Sequence, residues 1–236
     1  MALYKEQGIV LRTMRLGEAD RIVTILSQGS GTVRAVAKGV RKTKSRFGAR
    51  LEPFTHVDLL LYEGRELDIV TQADIITPFR RLREDYERFA AGEMILEAAD
   101  RVSQERERNT ALFLLVLNAL RALDMPEGDA GFIADSFLLR LAAQAGFLPS
   151  LTACAECGRS GALRFSIQQG GMVCDDCRSG GTVRVTEDTI PYLTGLLDER
   201  PTVAPEATRQ QAGHLVRAYL EYHLDRPLRS WAHVPR

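Results

Sequence analysis

The chain has 236 residues, 45% of them hydrophobic and 26% charged, a balance expected of one or two soluble globular domains. Thirty-one basic residues meet thirty-one acidic ones, which by itself argues against a polyanionic partner. No apolar run approaches the roughly eighteen residues of a membrane span; the nearest, Ala111 to Leu123, is interrupted by Asn118 and Arg121.

Residues 1 to 78 read as short strands by alternation and β-branched content. They are Glu6 to Leu16, Arg21 to Ser27, Thr32 to Lys38, Phe54 to Tyr62 and Leu67 to Ile76, with turns at Gly17 to Asp20, Gln28 to Gly31 and Glu63-Gly64. Five strands without a crossover helix predict a small barrel of the OB type. The mean charge conceals an asymmetry here. Residues 1 to 50 carry eleven cations against three acids, a net of plus eight, which leaves minus eight for the rest.

The densest cluster, Lys38 to Arg50, places six cations in thirteen residues with no acid. Such a segment cannot be a buried strand, and it predicts a solvated loop unless a polyanion replaces water. Gly39 and Gly48 would let backbone approach phosphate, and Phe47 would stack on a base. Arg34, Lys38, Arg41, Lys42, Lys44, Arg46 and Arg50 are the candidate nucleic-acid-binding residues, with binding expected to be weakly sequence-specific and strongly salt-dependent.

After Pro78 the period becomes helical: one helix from about Phe79 through Ala98, then Asn109 to Leu123, Asp129 to Ala145, Asp188 to Leu197 and Glu206 to Leu224. The expected organisation is α+β: a barrel over 1–78 and an α-helical domain over 79–236, with a ribbon inserted at about 152–181. On the last helix His223 shares a face with Leu215, Val216 and Tyr219 and is read as packing rather than metal binding. Trp231, the only tryptophan, would dock the C-terminal tail.

The ribbon holds all the cysteine in the chain. Cys154, Cys157, Cys174 and Cys177 follow C-x2-C-x16-C-x2-C, which brings four thiolates from two facing turns onto one ion. Disulfides would need an oxidising compartment, yet the opening MALYKEQGIV has no apolar signal core, and a soluble intracellular protein is expected. Four thiolates leave no open coordination position, so the expected cofactor is one structural zinc per chain. Nucleotide-binding, zinc-protease and nucleophile-elbow motifs are absent, and no enzyme is expected.

Several segments together are more specific than the cysteine spacing: EQGIVLRTMRLGEADRIVTILS from Glu6, TVRAVAKGVRKTKSRFG from Thr32, LEPF from Leu51, LLLY from Leu59, and GFLP from Gly146 leading into CAEC from Cys154. Across its length the chain resembles the RecO family of bacterial recombination mediators. The resemblance implies a cytoplasmic, nucleoid-associated DNA repair protein that binds single- and double-stranded DNA and anneals complementary strands. With RecR it would help load RecA onto DNA coated by single-stranded DNA-binding protein, whose acidic C-terminal tail would bind the helical domain. The competing expectation is a zinc-ribbon adaptor that contacts proteins only.

Overall fold

The computed structural model describes residues 2–43 and 45–230. Five strands, β1 (Leu3–Leu16), β2 (Asp20–Ser27), β3 (Gly31–Ala37), β4 (His56–Tyr62) and β5 (Asp68–Thr77), close into a barrel in the order β1-β2-β3-β5-β4. All neighbours are antiparallel except β3 and β5. Closure depends on β1 serving two partners, with residues 3–9 pairing with β4 and residues 8–16 with β2. The handover falls at Gly8, where a Cβ would lie 2.3 Å from Ile25 Cγ2. Only a bare backbone lets the strand cross so close over β2.

Alternation sends Val10, Val23, Ile25, Val33, Ala35, Val57, Leu59, Leu61 and Val70 into one core. The outer side of β1 is covered as well. Helices α2 (Tyr86–Val102) and α3 (Thr110–Asp124) pack on it. Arg12 pairs with Asp100 at 2.7 Å, and buried His56 meets Phe113 edge-on at 5.9 Å. The single helix expected after Phe79 is two: α1 (Arg80–Glu84) stops at Asp85, whose extended backbone starts α2 and whose carboxylate caps the Arg88 N–H. Arg83 ties this corner to the barrel, donating to the carbonyls of Pro78 and Pro53 and to Thr55 Oγ1.

The barrel and α1–α3 form one compact unit, 1–128, and residues 129–236 form a second. The change from strand to helix at residue 78 and the packing boundary at 128 thus divide the chain differently, because α2 and α3 bury apolar residues against β1.

In the second unit α4 (Ala130–Gln144), α5 (Thr189–Asp198) and α6 (Glu206–Leu224) pack together. Between α4 and α5 lies a three-stranded ribbon, β6 (Arg164–Ser166), β7 (Gly171–Val173) and β8 (Val183–Arg184), in the order β7-β6-β8. It rests on α6 through Phe165 and Tyr219, 5.7 Å apart edge-on, and through Gln211 Nε2 donating to the Arg184 carbonyl at 3.1 Å. His223 stacks on Phe147 at 4.3 Å, which is a packing role. Trp231 lies outside the described residues. No helix among the described residues is long and apolar enough to cross a membrane.

Asp135 on α4 is buried against Gly213 of α6, where a Cβ would stand 2.7 Å from Asp135 Oδ2. Burial, and then the neighbouring Asp129 carboxylate, push its pKa up to about 7. An acid whose pKa is higher folded than unfolded favours the fold while protonated, so the unit loses stability as pH rises from about 4 toward about 7. Asp135→Asn should therefore raise the thermal midpoint at pH 8 and change it little at pH 4. The difference is of order 4 kcal/mol at most, and thermal melts of both proteins across that range measure it.

Candidate nucleic-acid interface and metal centre

Among the described residues, the basic segment turns over 38–43 and forms a short 3-10 helix, Gly48–Leu51, beside the β1–β2 hairpin tip. The Arg41 N–H donates to the Ala19 carbonyl at 2.9 Å, and its guanidinium donates to the carbonyls of Gly17 and Glu18 at 3.3 and 2.9 Å. Asp20 Oδ1 accepts from the Gly39 N–H at 2.7 Å. These four bonds fix the hairpin tip and the segment after β3 as one block. Arg41 thus orders the surface as well as charging it.

Lys38, Lys42 and Arg46 are exposed and carry no carboxylate partner among the described residues. Arg46 lies over the Phe47 ring, 4.8 Å from its centroid. Arg50 is half-buried and donates to the carbonyls of Arg46 and Phe47, closing the turn it belongs to. Arg34 is set apart on the outer side of β3, facing Glu105 at 3.4 Å. Lys44 lies outside the described residues.

Phe47 is not available for stacking. It is 2% exposed and, with Val40 and Leu51, belongs to the barrel core. The expectation of a base-stacking ring in the basic loop is overturned, because the connection from β3 to β4 must supply apolar groups to the end of the barrel it crosses.

Arg15 and Arg21 complete the cationic block. The turn at 17–19 sets Arg15 directly opposite Arg21, and Arg21 opposite Ala37 at the end of β3. Arg21 pairs with Glu52 at 2.6 Å, while Arg15 is exposed without such a partner among the described residues. Both arginines count toward the charge excess of the first fifty residues. Their convergence on the basic segment was recoverable from the Gly17–Asp20 turn, which dictates the hairpin register.

The four cysteines converge as their spacing predicts. Their sulfur atoms all lie within 4.8 Å of one another, and Cys157 Sγ and Cys174 Sγ are 3.8 Å apart. A tetrahedral ion with bonds of about 2.3 Å to sulfur requires edges of about 3.8 Å, far beyond a disulfide bond of about 2.05 Å. Cys154 is buried and its Sγ accepts the Cys174 N–H at 3.4 Å. The backbone N–H groups of Cys157 and Cys174 hold its pKa well below the usual thiol range. Hydrogen bonds from Cys177 to the sulfurs of Cys157 and Cys174 push the Cys177 pKa up. Only a cation at the centre would let all four ionise together, so the donor set fits a thiolate-bound metal. Arg159 to Asp176 at 2.6 Å and Arg164 to Asp175 at 2.7 Å tie the second cysteine turn to the first and to β6.

The sequence is similar to known proteins along almost its whole length. Residues 1–79 match the family model for the recombination protein O N terminal, and residues 83–232 match that for the C terminal. The chain belongs to the RecO family. It is 51% identical over 243 residues to the DNA repair protein RecO of Nocardioides sp., covering 99% of this chain and 100% of that protein. It is 46% identical to the RecO proteins of Frankia casuarinae and of Thermobifida fusca, each alignment covering both chains in full.

Phe47→Ala should cost about 3–5 kcal/mol of stability, because it empties the end of the barrel core. Denaturant unfolding measures this; a stability loss under about 1 kcal/mol would return the ring to the surface role first expected of it.

Proposed function

We propose that the protein is a DNA repair and recombination mediator that works by binding and positioning DNA, without catalytic turnover. The observation that carries this is full-length membership of the RecO family together with a rigid cationic block at one end of a barrel of the OB type. Arg15, Lys38, Lys42 and Arg46 have no internal carboxylate to neutralise them among the described residues, so their charge is free to meet phosphate. Arg21, Arg41 and Arg50 shape the same block, Lys44 belongs to it in sequence, and Arg34 would contribute after leaving Glu105. The barrel over residues 1–78 is the DNA-binding domain in this reading.

Such a surface serves both single and double strands, because it reads backbone charge rather than base edges. Screening the repulsion between two backbones is also what annealing of complementary strands requires. The proposal extends to loading of RecA together with RecR and to engagement of the single-stranded DNA-binding protein through its acidic tail, roles that membership of the RecO family supports. In this reading the helical unit makes the protein contacts, and the protein works in the cytoplasm, associated with the nucleoid. Zinc is the metal proposed for Cys154, Cys157, Cys174 and Cys177. Bound there, it supplies a structural cross-link to a ribbon with little core of its own.

Replacing Arg15, Lys38, Lys42 and Arg46 together by alanine should weaken single-strand binding and reduce the slope of log affinity against log salt by about 3. Fluorescence anisotropy across a salt series measures both. An unchanged slope in the folded variant would remove the block from the interface, and absence of DNA binding by the natural protein would favour the protein-only adaptor. Annealing of complementary strands coated by single-stranded DNA-binding protein tests the mediator role and partner engagement together.

Elemental analysis of reduced protein should find one zinc per chain. Chelation should then expose four thiols to alkylation and lower the melting temperature. Metal-free protein with the same melting temperature would refute the zinc assignment.

A further inference from the structure

Resting on that nucleic-acid reading, we propose that the β1–β2 hairpin tip is a two-faced wedge: its cations follow phosphate while Met14 and Leu16 insert among the bases at a junction of single strand and duplex. Beyond residue 12 the strand β1 pairs only with β2, as Met14 opposite Ile22, Arg15 opposite Arg21 and Leu16 opposite Asp20. Alternation places Met14 and Leu16 on one face of this arm and Arg15 on the other.

Both apolar side chains keep a large share of their surface in solvent. Met14 is 50% exposed and Leu16 38%, and both are absent from the barrel core, whereas Ile22 across the pair is 6% exposed. They extend for one more alternation a strand whose apolar residues at 9, 10 and 11 are all buried.

The surroundings select the occupant. The apolar pair sits on the arm that carries Arg15 and that Arg41 joins to Lys38 and Lys42; the tip also carries exposed Glu18, while Asp20, opposite Leu16, is taken by the Gly39 N–H, so the cations outnumber the free acid and favour an occupant that is apolar on one side and anionic alongside. A nucleobase step flanked by its phosphates has that chemistry. Side chains two residues apart on a strand are separated by about 6.8 Å, twice the base rise of about 3.4 Å, so the two can span a single opened step.

Rigidity is the second requirement. Parting stacked bases costs a few kcal/mol per step, and a mobile loop would yield instead. The arm is held by the Arg41 and Asp20 hydrogen bonds to the segment after β3, which makes Arg41 the residue that positions the wedge.

The experiment uses the full chain and a duplex with a single-stranded overhang, carrying 2-aminopurine at the last base pair, with anisotropy of the same end-labelled DNA recorded in parallel. Binding of the natural protein should raise 2-aminopurine fluorescence at least about twofold as the base unstacks. Met14→Ser with Leu16→Ser should abolish that rise while the salt slope stays the same, because no cation is removed. Met14→Leu with Leu16→Met should keep the rise. Circular dichroism melts check that the variants fold, and should the double serine variant fail to, the natural protein and the Met14→Ser single variant decide. Tight binding without a rise, or a rise that survives both serines, overturns the wedge and leaves the DNA-binding surface standing. No binding at all by the natural protein overturns the reading beneath it.

Discussion

Gly8 is the residue on which the first unit turns. Closing a barrel with five strands obliges one strand to leave one partner for another, and β1 does so where any side chain would strike Ile25. Because the first half of β1 is committed to β4, its second half is free to run on as an arm with β2. That arm is where the cations of β1, β2 and the segment after β3 converge. A steric demand of the barrel thus determines where the charge is displayed.

The electrostatics have the same economy. A chain with no net charge displays a cationic block in its first unit, where several of the nearby acids are committed to other groups. Asp20 accepts a backbone N–H, Glu52 holds Arg21, Asp100 holds Arg12 and Glu105 holds Arg34. Asp68, fully buried, receives Tyr4, Arg106 and the Gly64 N–H. Burial, and then its hydrogen bond to that carboxylate, raise the Tyr4 pKa, so the phenol stays a donor throughout the physiological range. Partial burial works against the charge on Arg106, but Asp68 outweighs it and the guanidinium pKa is raised. Ion pairs at the surface add little stability; in the block at the hairpin tip, Arg15, Lys38, Lys42 and Arg46 are left without a carboxylate partner among the described residues.

Much of this was legible in the sequence. Alternation located all five strands to within a few residues, and the cysteine spacing located the four-sulfur cluster. What failed was the burial of Phe47. In a run of lysines, arginines and glycines a lone aromatic looks exposed, and only the need to close the barrel end, shared with Leu51 four residues on, draws it inward. The break at Asp85 was hidden because a helical period continues across it; the cap to Arg88 was the available sign. The uncompensated carboxyl of Asp135 was invisible, since its burial depends on Gly213, 78 residues away.

One seam of the barrel is closed late. β3 pairs with β5 through only two residue pairs, Ala35 with Asp68 and Val36 with Ile69. The start of β3 is covered instead by the connection between α2 and α3, through Thr32 N–H to the Gln104 carbonyl and Arg106 N–H to the Thr32 carbonyl, both 3.1 Å. During synthesis the five strands leave the ribosome well before residue 106. For that interval the nascent barrel presents an open strand edge, the kind of template that invites pairing with another chain. The connection that finally covers it acts as a latch, and folding of the first unit is complete only when a segment outside the barrel has been made.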